Sequence, residues 1–481
     1  MENHFKHECL DSLFVLTMAV VIRLALNGFY FQDYTQSDGV DYHNIAVNIV
    51  QGHGYSKDTR EPYRPFFFRE PAYPLFLAGV YALVDFAGFT PAYLLTAEYD
   101  LTAHPEIYWA RIAQCMLGAL TCLILYLTLR LVLQPRVAFV IALLFSAYLP
   151  LAVYTTMLMR ETLQTFAVVC MNYFFAKFLL TRKMINLVFF ALAWALSNMT
   201  LQVTVLIGIL SFVFLLYRTR SLRSSVAYIA LAAALMFVVI SPWLVRSYSF
   251  YPDVRIVQSL GVSITPQAAQ YSGYLGKLHE RGVLPADSVT ALRRKWYALS
   301  EWEKFEWSFA GRFDSLRAEL PKVSFDLYDE CAHYLDYFRR GWIESLWFID
   351  VQGGGSRMNL RPHSKYLRAG EYALFGLSLA GFMFGYLAIP GVFLYARRLW
   401  PILLMFFYFV PLSIFIADET RRMLPVHGYV FMFSCLACWE IYQRRKKRKM
   451  DVSVDVGLIS GEAGKNSDPL RHSYSAFWVR K

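Results

Sequence analysis

The sequence is poor in charge. Of its 481 residues only 17% are Asp, Glu, Lys or Arg, while 57% are hydrophobic and mean hydropathy is +0.36. A soluble globular chain carries about a quarter charged residues, so a soluble enzyme and a disordered protein are both excluded. Cysteine is sparse and scattered. Cys115, Cys122, Cys170, Cys435 and Cys438 sit inside apolar runs, Cys9 in a short polar leader, and Cys331 alone in the one large polar segment. No disulfide framework can be built from these, so a secreted disulfide scaffold is excluded. Cys435 and Cys438 have CxxC spacing without a second pair and read as packing residues. P-loop, GxSxG and HExxH motifs are missing, as are internal repeats.

Long uncharged runs are plentiful. Ile112–Leu129, Val137–Met159, Met184–Tyr217, Ser224–Val245, Tyr372–Ala396 and Leu399–Ala417 each reach the roughly 18 residues that mark a membrane helix. The first apolar run, Leu13–Phe31, lacks a small-residue cleavage site after it and reads as a retained membrane helix. The excess of Lys and Arg, which gives a net charge of +11, collects in clusters: Arg130/Arg136, Arg182/Lys183, Arg218/Arg220/Arg223, Arg397/Arg398 and Arg444–Lys449. Basic residues favour cytoplasmic loops. All five clusters fall on one side if both termini are cytoplasmic and ten helices span, over 13–32, 108–130, 137–157, 161–180, 184–198, 201–217, 225–245, 371–396, 400–417 and 424–443. Tyr73–Phe89 is then an interfacial or re-entrant helix, because a crossing there would force three basic clusters outside.

This divides the chain into an N-terminal membrane module (1–245) with a first outer loop (33–106), an outer soluble segment (246–370), C-terminal membrane helices (371–443) and a basic, unstructured cytoplasmic tail (444–481). The tail begins RRKKRK, so its charge points to anionic lipid and not to nucleic acid.

The first outer loop carries two carboxylates, Asp38 and Asp41. Tyr42, Ile45, Ala46 and Ile49 follow with helical spacing, which predicts a short helix starting near Asp38 after Ser37. Two readings stay open: the aspartates cap that helix, or they carry chemistry. Arg160–Glu161 interrupts a long apolar stretch; Glu161 is either part of a helix connector or an intramembrane site residue. Arg246 ends the seventh helix as a snorkelling interfacial arginine or a site residue. Arg421 and Arg422 sit in a very short outer turn, against the charge bias, so an anion is expected there. Outward carboxylates and arginines on one face suit an acceptor hydroxyl attacking a sugar carried on lipid phosphate. A carboxylate takes the proton and guanidinium groups hold the departing phosphate.

The order SDxxxY (37–42), GHGY (52–55), RxPxYPLFLA (69–78) and WAR (109–111) resembles the polyprenyl-phosphate-dependent glycosyltransferases of the GT-C fold. Among these it is most similar to the protein-mannosyltransferase-like enzymes and the lipid A aminoarabinose transferases. LMRETL (158–163), NMTLQVTVLI (198–207), PWLVRSY (242–248) and RRMLPVHGYVF (421–431) follow in register, so the resemblance spans residues 10–440. It implies an all-α polytopic bundle of about ten helices, with interfacial helices in the first outer loop and a mainly helical outer segment.

The resemblance also implies site residues: Asp38 as catalytic aspartate with Tyr42 four residues on, Arg69 before the proline-rich segment, Glu161 at the connector, and Arg421 or Arg422 on the donor phosphate. Members commonly carry Asp-Glu where this chain has Asp38-Gly39, so Asp41 is the candidate replacement. The implied partners are a polyprenyl-phosphate sugar donor, a protein, lipid or glycan acceptor, and membrane lipid. No cofactor or metal is expected, since arginines can neutralise the phosphate. The implied place is the inner membrane of a cell envelope, with the site on the periplasmic face. A lipid or glycan flippase and a non-catalytic polysaccharide-assembly subunit are the alternatives. The flippase is disfavoured by the lack of inverted repeats and by Arg23 being the one charge near a helix midpoint.

Overall fold

A computed structural model of the chain describes residues 2–29, 37–66, 69–88, 105–250, 282–298, 387–409 and 424–459, with Leu275, Leu278 and His279 besides. Most of the expected outer segment 246–370, most of the expected helix 371–396, the last eight residues of the expected helix 400–417, and Arg421 and Arg422 lie outside the described residues. What is described is helical, with no strand. The N-terminal module runs α1 (Glu2–Phe29), α2 (Ser37–Val50), α3 (Ala72–Phe86), α4 (Pro105–Arg130), α5 (Pro135–Ser146), α6 (Leu149–Tyr154), α7 (Glu161–Thr181), α8 (Met184–Thr200), α9 (Ile207–Thr219) and α10 (Leu222–Phe250). Further helices cover Ala286–Ala298, Ala388–Leu399 and Leu424–Ile459.

Five stretches among the described residues are long and apolar enough to cross a membrane: Glu8–Gly28, Glu106–Arg130, Glu161–Thr181, Gln202–Thr219 and Leu222–Phe250. Each coincides with an expected span, although α1 begins well before residue 13. At 15 residues, α3 is shorter than the roughly 20 that a crossing needs. The count of ten is not reached among the described residues.

The expected helix 137–157 is two pieces. Pro150 has no N–H to bond the Ser146 carbonyl four residues back, so α5 stops at Ser146, Tyr148 turns extended, and α6 restarts with the proline in its first turn. Turns over 155–160 follow before α7 begins. The tail also departs from expectation. The helix that starts at Leu424 runs on through RRKKRK to Ile459, because Lys, Arg and Met are good helix formers and no glycine or proline stands between Tyr429 and Val456.

α7 is the central post. Its most apolar window is 78% buried, and residues on every side of it are covered, from Glu161 through Leu179. It packs on α8 and α4, and α4 packs on α1. By contrast α9 and α10 expose Ile209, Val213, Phe237, Val238 and Val245, an apolar outer face suited to lipid. Small residues allow the close approaches. A side chain at Gly391 would run into the backbone of Phe433, and one at Gly118 into Arg23 and Thr155. That last contact explains how Arg23 is fully buried in α1. It donates to the carbonyls of Ala19 and Ser146, the latter at the end of α5, where a cation also meets the helix dipole.

Candidate active site

The residues singled out in the first loop come together at one end of the bundle. α2 starts at Ser37, and the face expected from its spacing is the buried one: Tyr42, Ile45 and Ala46 have no exposure. The Tyr42 ring meets Tyr73 of α3 edge-on, with centroids 4.9 Å apart. After α2 the chain must reverse. Gly52 and Gly54 of the GHGY motif take φ of +82° and +81°, which L side chains rarely adopt. Asn48 closes the turn by donating to the carbonyls of Ser56 and Asp58 at 2.8 and 3.0 Å. The turn delivers Tyr55, whose hydroxyl donates towards the carbonyls of Arg69 and Glu70 at 3.0 and 3.2 Å. The two charged residues ahead of α3 are thereby fixed by the motif before them.

Arg69 joins both aspartates. Its Nη2 donates to Asp38 Oδ1 and Asp41 Oδ2, each at 2.7 Å, and its Nε to Asp41 Oδ2 at 3.1 Å. Lys57 Nζ lies 3.3 Å from Asp41 Oδ1. The Arg69 guanidinium also rides 5.5 Å above the Tyr42 ring. Burial alone would weaken Arg69's hold on its proton, but the neighbouring Tyr42, Asp38 and Asp41 raise it well above the usual guanidinium range. Arg69 is therefore charged at any accessible pH. Burial pushes the Tyr42 phenol up, against the pull of Arg160 and Arg69, so it stays a neutral hydroxyl.

A second pair lies behind the first. Glu70 Oε2 accepts from Arg160 Nη1, both side chains being buried, and Arg160 is the residue immediately before α7. Glu161 is buried in the first turn of α7, close enough to act on Arg160 and Tyr73. The 155–160 turns are held by Gln114 of α4. Its Nε2 donates to the carbonyls of Met157 and Thr155 at 2.7 and 3.3 Å, and its Oε1 accepts from Tyr73 at 2.9 Å. Arg246 does not snorkel freely at the end of α10. It donates to the carbonyls of Phe66 and Tyr55 at 3.1 and 3.2 Å and stacks over Trp243, because the first loop folds back onto α10.

Asp38, Asp41, Tyr42 and Arg69 thus meet, Glu161 stands one residue from Arg160 behind them, and Arg246 supports the loop. Glu70, Lys57, Tyr55 and Gln114 were not foreseen, and Arg160 was seen only as half of a connector. The REP triplet at 69–71 was the available signal for Glu70. Among the described residues no three His, Cys, Asp or Glu side chains converge to hold a metal ion.

The model of the dolichyl-phosphate-mannose-protein mannosyltransferase family matches residues 87–245, from the end of α3 to α10. No curated protein matches the chain. Among solved structures, the apo oligosaccharyltransferase of Archaeoglobus fulgidus aligns at a TM-score of 0.50 and 15% identity, over 92% of this chain and 52% of that one. The oligosaccharyltransferase AglB from the same organism, in complex with an inhibitory peptide and a dolichol-phosphate, aligns at 0.48 and 17%, over 95% and 52%. The chain spans about half the length of these structures, and at 15% identity the likeness to the apo enzyme is one of fold. With the helical architecture above, these findings identify a GT-C-fold membrane protein that resembles the dolichyl-phosphate-mannose-protein mannosyltransferases over residues 87–245.

Proposed function

We propose that this chain is an integral membrane glycosyltransferase that moves a sugar from a polyprenyl-phosphate carrier to an acceptor hydroxyl. The observation that carries the reading is the convergence of Asp38 and Asp41 on Arg69, in the loop that packs against the family-matching helices. Asp38 is the general base. Paired with Arg69, it accepts the proton of the acceptor hydroxyl, whose oxygen then bonds to the anomeric carbon. The bond from that carbon to the phosphate oxygen breaks on the opposite side, so the configuration inverts. Polyprenyl phosphate leaves with the electron pair. Its low basicity makes a base more necessary than an acid.

In this reading Arg69 and Arg421 or Arg422 balance the phosphate charge, a contribution of typically about 3 kcal/mol per fixed donor. In this mechanism Arg69 passes its contacts from the aspartates to the phosphate. Tyr42 and Arg246 support the loop, Asp41 holds the acceptor or Arg69, and Glu161 with Arg160 closes the back of the site. The site faces the periplasmic side of the inner membrane, the donor tail lies beside α3, and the acceptor is a protein, lipid or glycan.

Asp38→Asn keeps the shape and the capping ability but removes the base. Transfer of labelled sugar from a polyprenyl-phosphate donor should vanish in this variant, while expression and thermal unfolding stay those of the wild type. Full transfer by Asp38→Asn would refute the assignment of the base.

A further inference from the structure

His43 is a buried histidine that the chemistry above does not use. Its side chain and that of Glu106, in the first turn of α4, are 0% and 1% exposed, and His43 Nε2 lies 3.7 Å from Glu106 Oε1. On the other side of the ring, Nδ1 is 3.1 Å from the hydroxyl of Tyr81 in α3, which is buried as well. With the ring proton on Nε2, Tyr81 donates to Nδ1 and the Nε2–H points at the carboxylate, so one imidazole joins three helices. Apolar groups of the same size would be less costly to bury there.

What such a set supplies is direction. From Gly39 to Asn48 every residue of α2 except Asp41 is buried, and Val40, Ala46 and Val47 share one apolar cluster with Ala78 of α3 and Ile107 of α4. Apolar packing on all sides holds a helix in place but fixes its rotation weakly, since cores lose uniqueness before they lose stability. At about 100° per residue, position 43 lies about 140° from Asp38 and about 160° from Asp41 around the axis. The histidine therefore grips α2 from the side opposite the two carboxylates, which Arg69 holds. Without that grip, a rotation of about 20° moves a carboxylate that stands about 6 Å from the helix axis by about 2 Å. A misplacement of about 1 Å can cost about 100-fold in rate.

We propose that His43 is a positioning residue: held by Tyr81 and Glu106, it sets the rotation of α2 at which Asp38 and Asp41 both meet Arg69. The clasp stands on these contacts; only the kinetic arm of its test rests on the glycosyltransferase reading. The experiment places Val47→Cys in the full chain as a reporter, since Val47 is fully buried and one turn from His43. To this are added Glu106→Leu, or His43→Leu together with Glu106→Leu. The leucine pair orphans no charge, so its unfolding temperature should hold or rise. Thiol labelling in detergent is read peptide by peptide by mass spectrometry, and sugar transfer from a polyprenyl-phosphate donor is followed in chains without the reporter. Both leucine variants should label position 47 at least about 10-fold faster than the parent, with Cys115 and Cys122 still protected, and should lower kcat at least about 10-fold with the donor KM within about 2-fold. Unchanged labelling at position 47 would overturn the proposal, whatever the kinetics. So would labelling of Cys115 and Cys122 together with position 47, which marks an opened bundle, or faster labelling at 47 with full kcat. If the parent chain transfers no sugar, the glycosyltransferase reading falls and the labelling alone decides the clasp.

Discussion

Glu70 and Arg160 are 90 positions apart in sequence, yet their pairing ties the first loop to the start of α7. The two side chains are 7% and 11% exposed, which places the pair among buried ion pairs. Removing one partner of such a pair leaves a desolvated charge and typically costs about 3–5 kcal/mol. Glu161 lies beside Arg160 and offsets part of the loss in Glu70→Gln, so about 3 kcal/mol is expected. At about 2 °C per kcal/mol for a large domain, that is a fall of about 6 °C in unfolding temperature. The double variant Glu70→Gln with Arg160→Gln leaves no orphaned charge at this pair and should cost only about 1–2 kcal/mol. The chain carries its own reporter. Cys115, Cys122 and Cys170 are buried and become reactive when the bundle opens, while Cys9 and Cys438 give a constant exposed background. Thermal unfolding followed with a thiol-reactive dye yields all three values. A coupling energy of at least about 2 kcal/mol is expected. Single costs that add within about 0.5 kcal/mol would mean that the two groups do not interact, and the link between loop and bundle would have to lie elsewhere.

Three further outcomes are open to measurement. Asp41→Asn keeps Asp38 and Arg69 in place and should retain a measurable fraction of sugar transfer, in contrast to Asp38→Asn; the opposite ranking would move the base to Asp41. Arg246→Lys loses the fork that spans the Tyr55 and Phe66 carbonyls at a cost of about 1.5–3 kcal/mol, and limited proteolysis should cut the 57–66 loop faster. Tyr42→Phe removes a fully buried hydroxyl that has no partner among the described residues, so stability should hold or rise by about 1 kcal/mol. Tyr42 keeps its proton above the ordinary value of 10.0, where the unfolded chain releases it. The folded state therefore binds more protons above about pH 10 and loses stability as pH rises further, a slope that Tyr42→Phe should flatten.

The legible parts of this protein were those set by local sequence. Uncharged runs gave the positions of α4, α9 and α10, the apolar stretch after Arg160 gave α7, and the spacing of Tyr42, Ile45 and Ala46 gave the start and buried face of α2. The broken helix before α7 was missed because hydropathy does not register Pro150, while the backbone does. Site partners joined across long separations were not legible. Glu70 meets Arg160, and Arg246 meets the Tyr55 and Phe66 carbonyls, through tertiary packing that no local pattern encodes. An arginine at a helix end reads as snorkelling until the loop that folds back over it is known.

Asp38 and Asp41 stand three residues apart on α2. Successive helical residues turn by about 100°, so positions 38 and 41 lie only about 60° apart around the axis, near enough for one guanidinium to reach both. Arg69 does so with the same nitrogen. Position 39 is rotated off that face and is a buried glycine, so a carboxylate there would have to be accommodated away from Arg69. The resembling enzymes commonly place their second acid at this next position; here an acid stands one turn further on, beside the first. That shift puts two negative charges on one arginine, and Lys57 supplies a second cation on the outer side of Asp41. An Asp-Gly-Val-Asp segment can therefore supply a pair of acids without the adjacent Asp-Glu, because helical geometry returns the fourth residue, and not the second, to the face of the first.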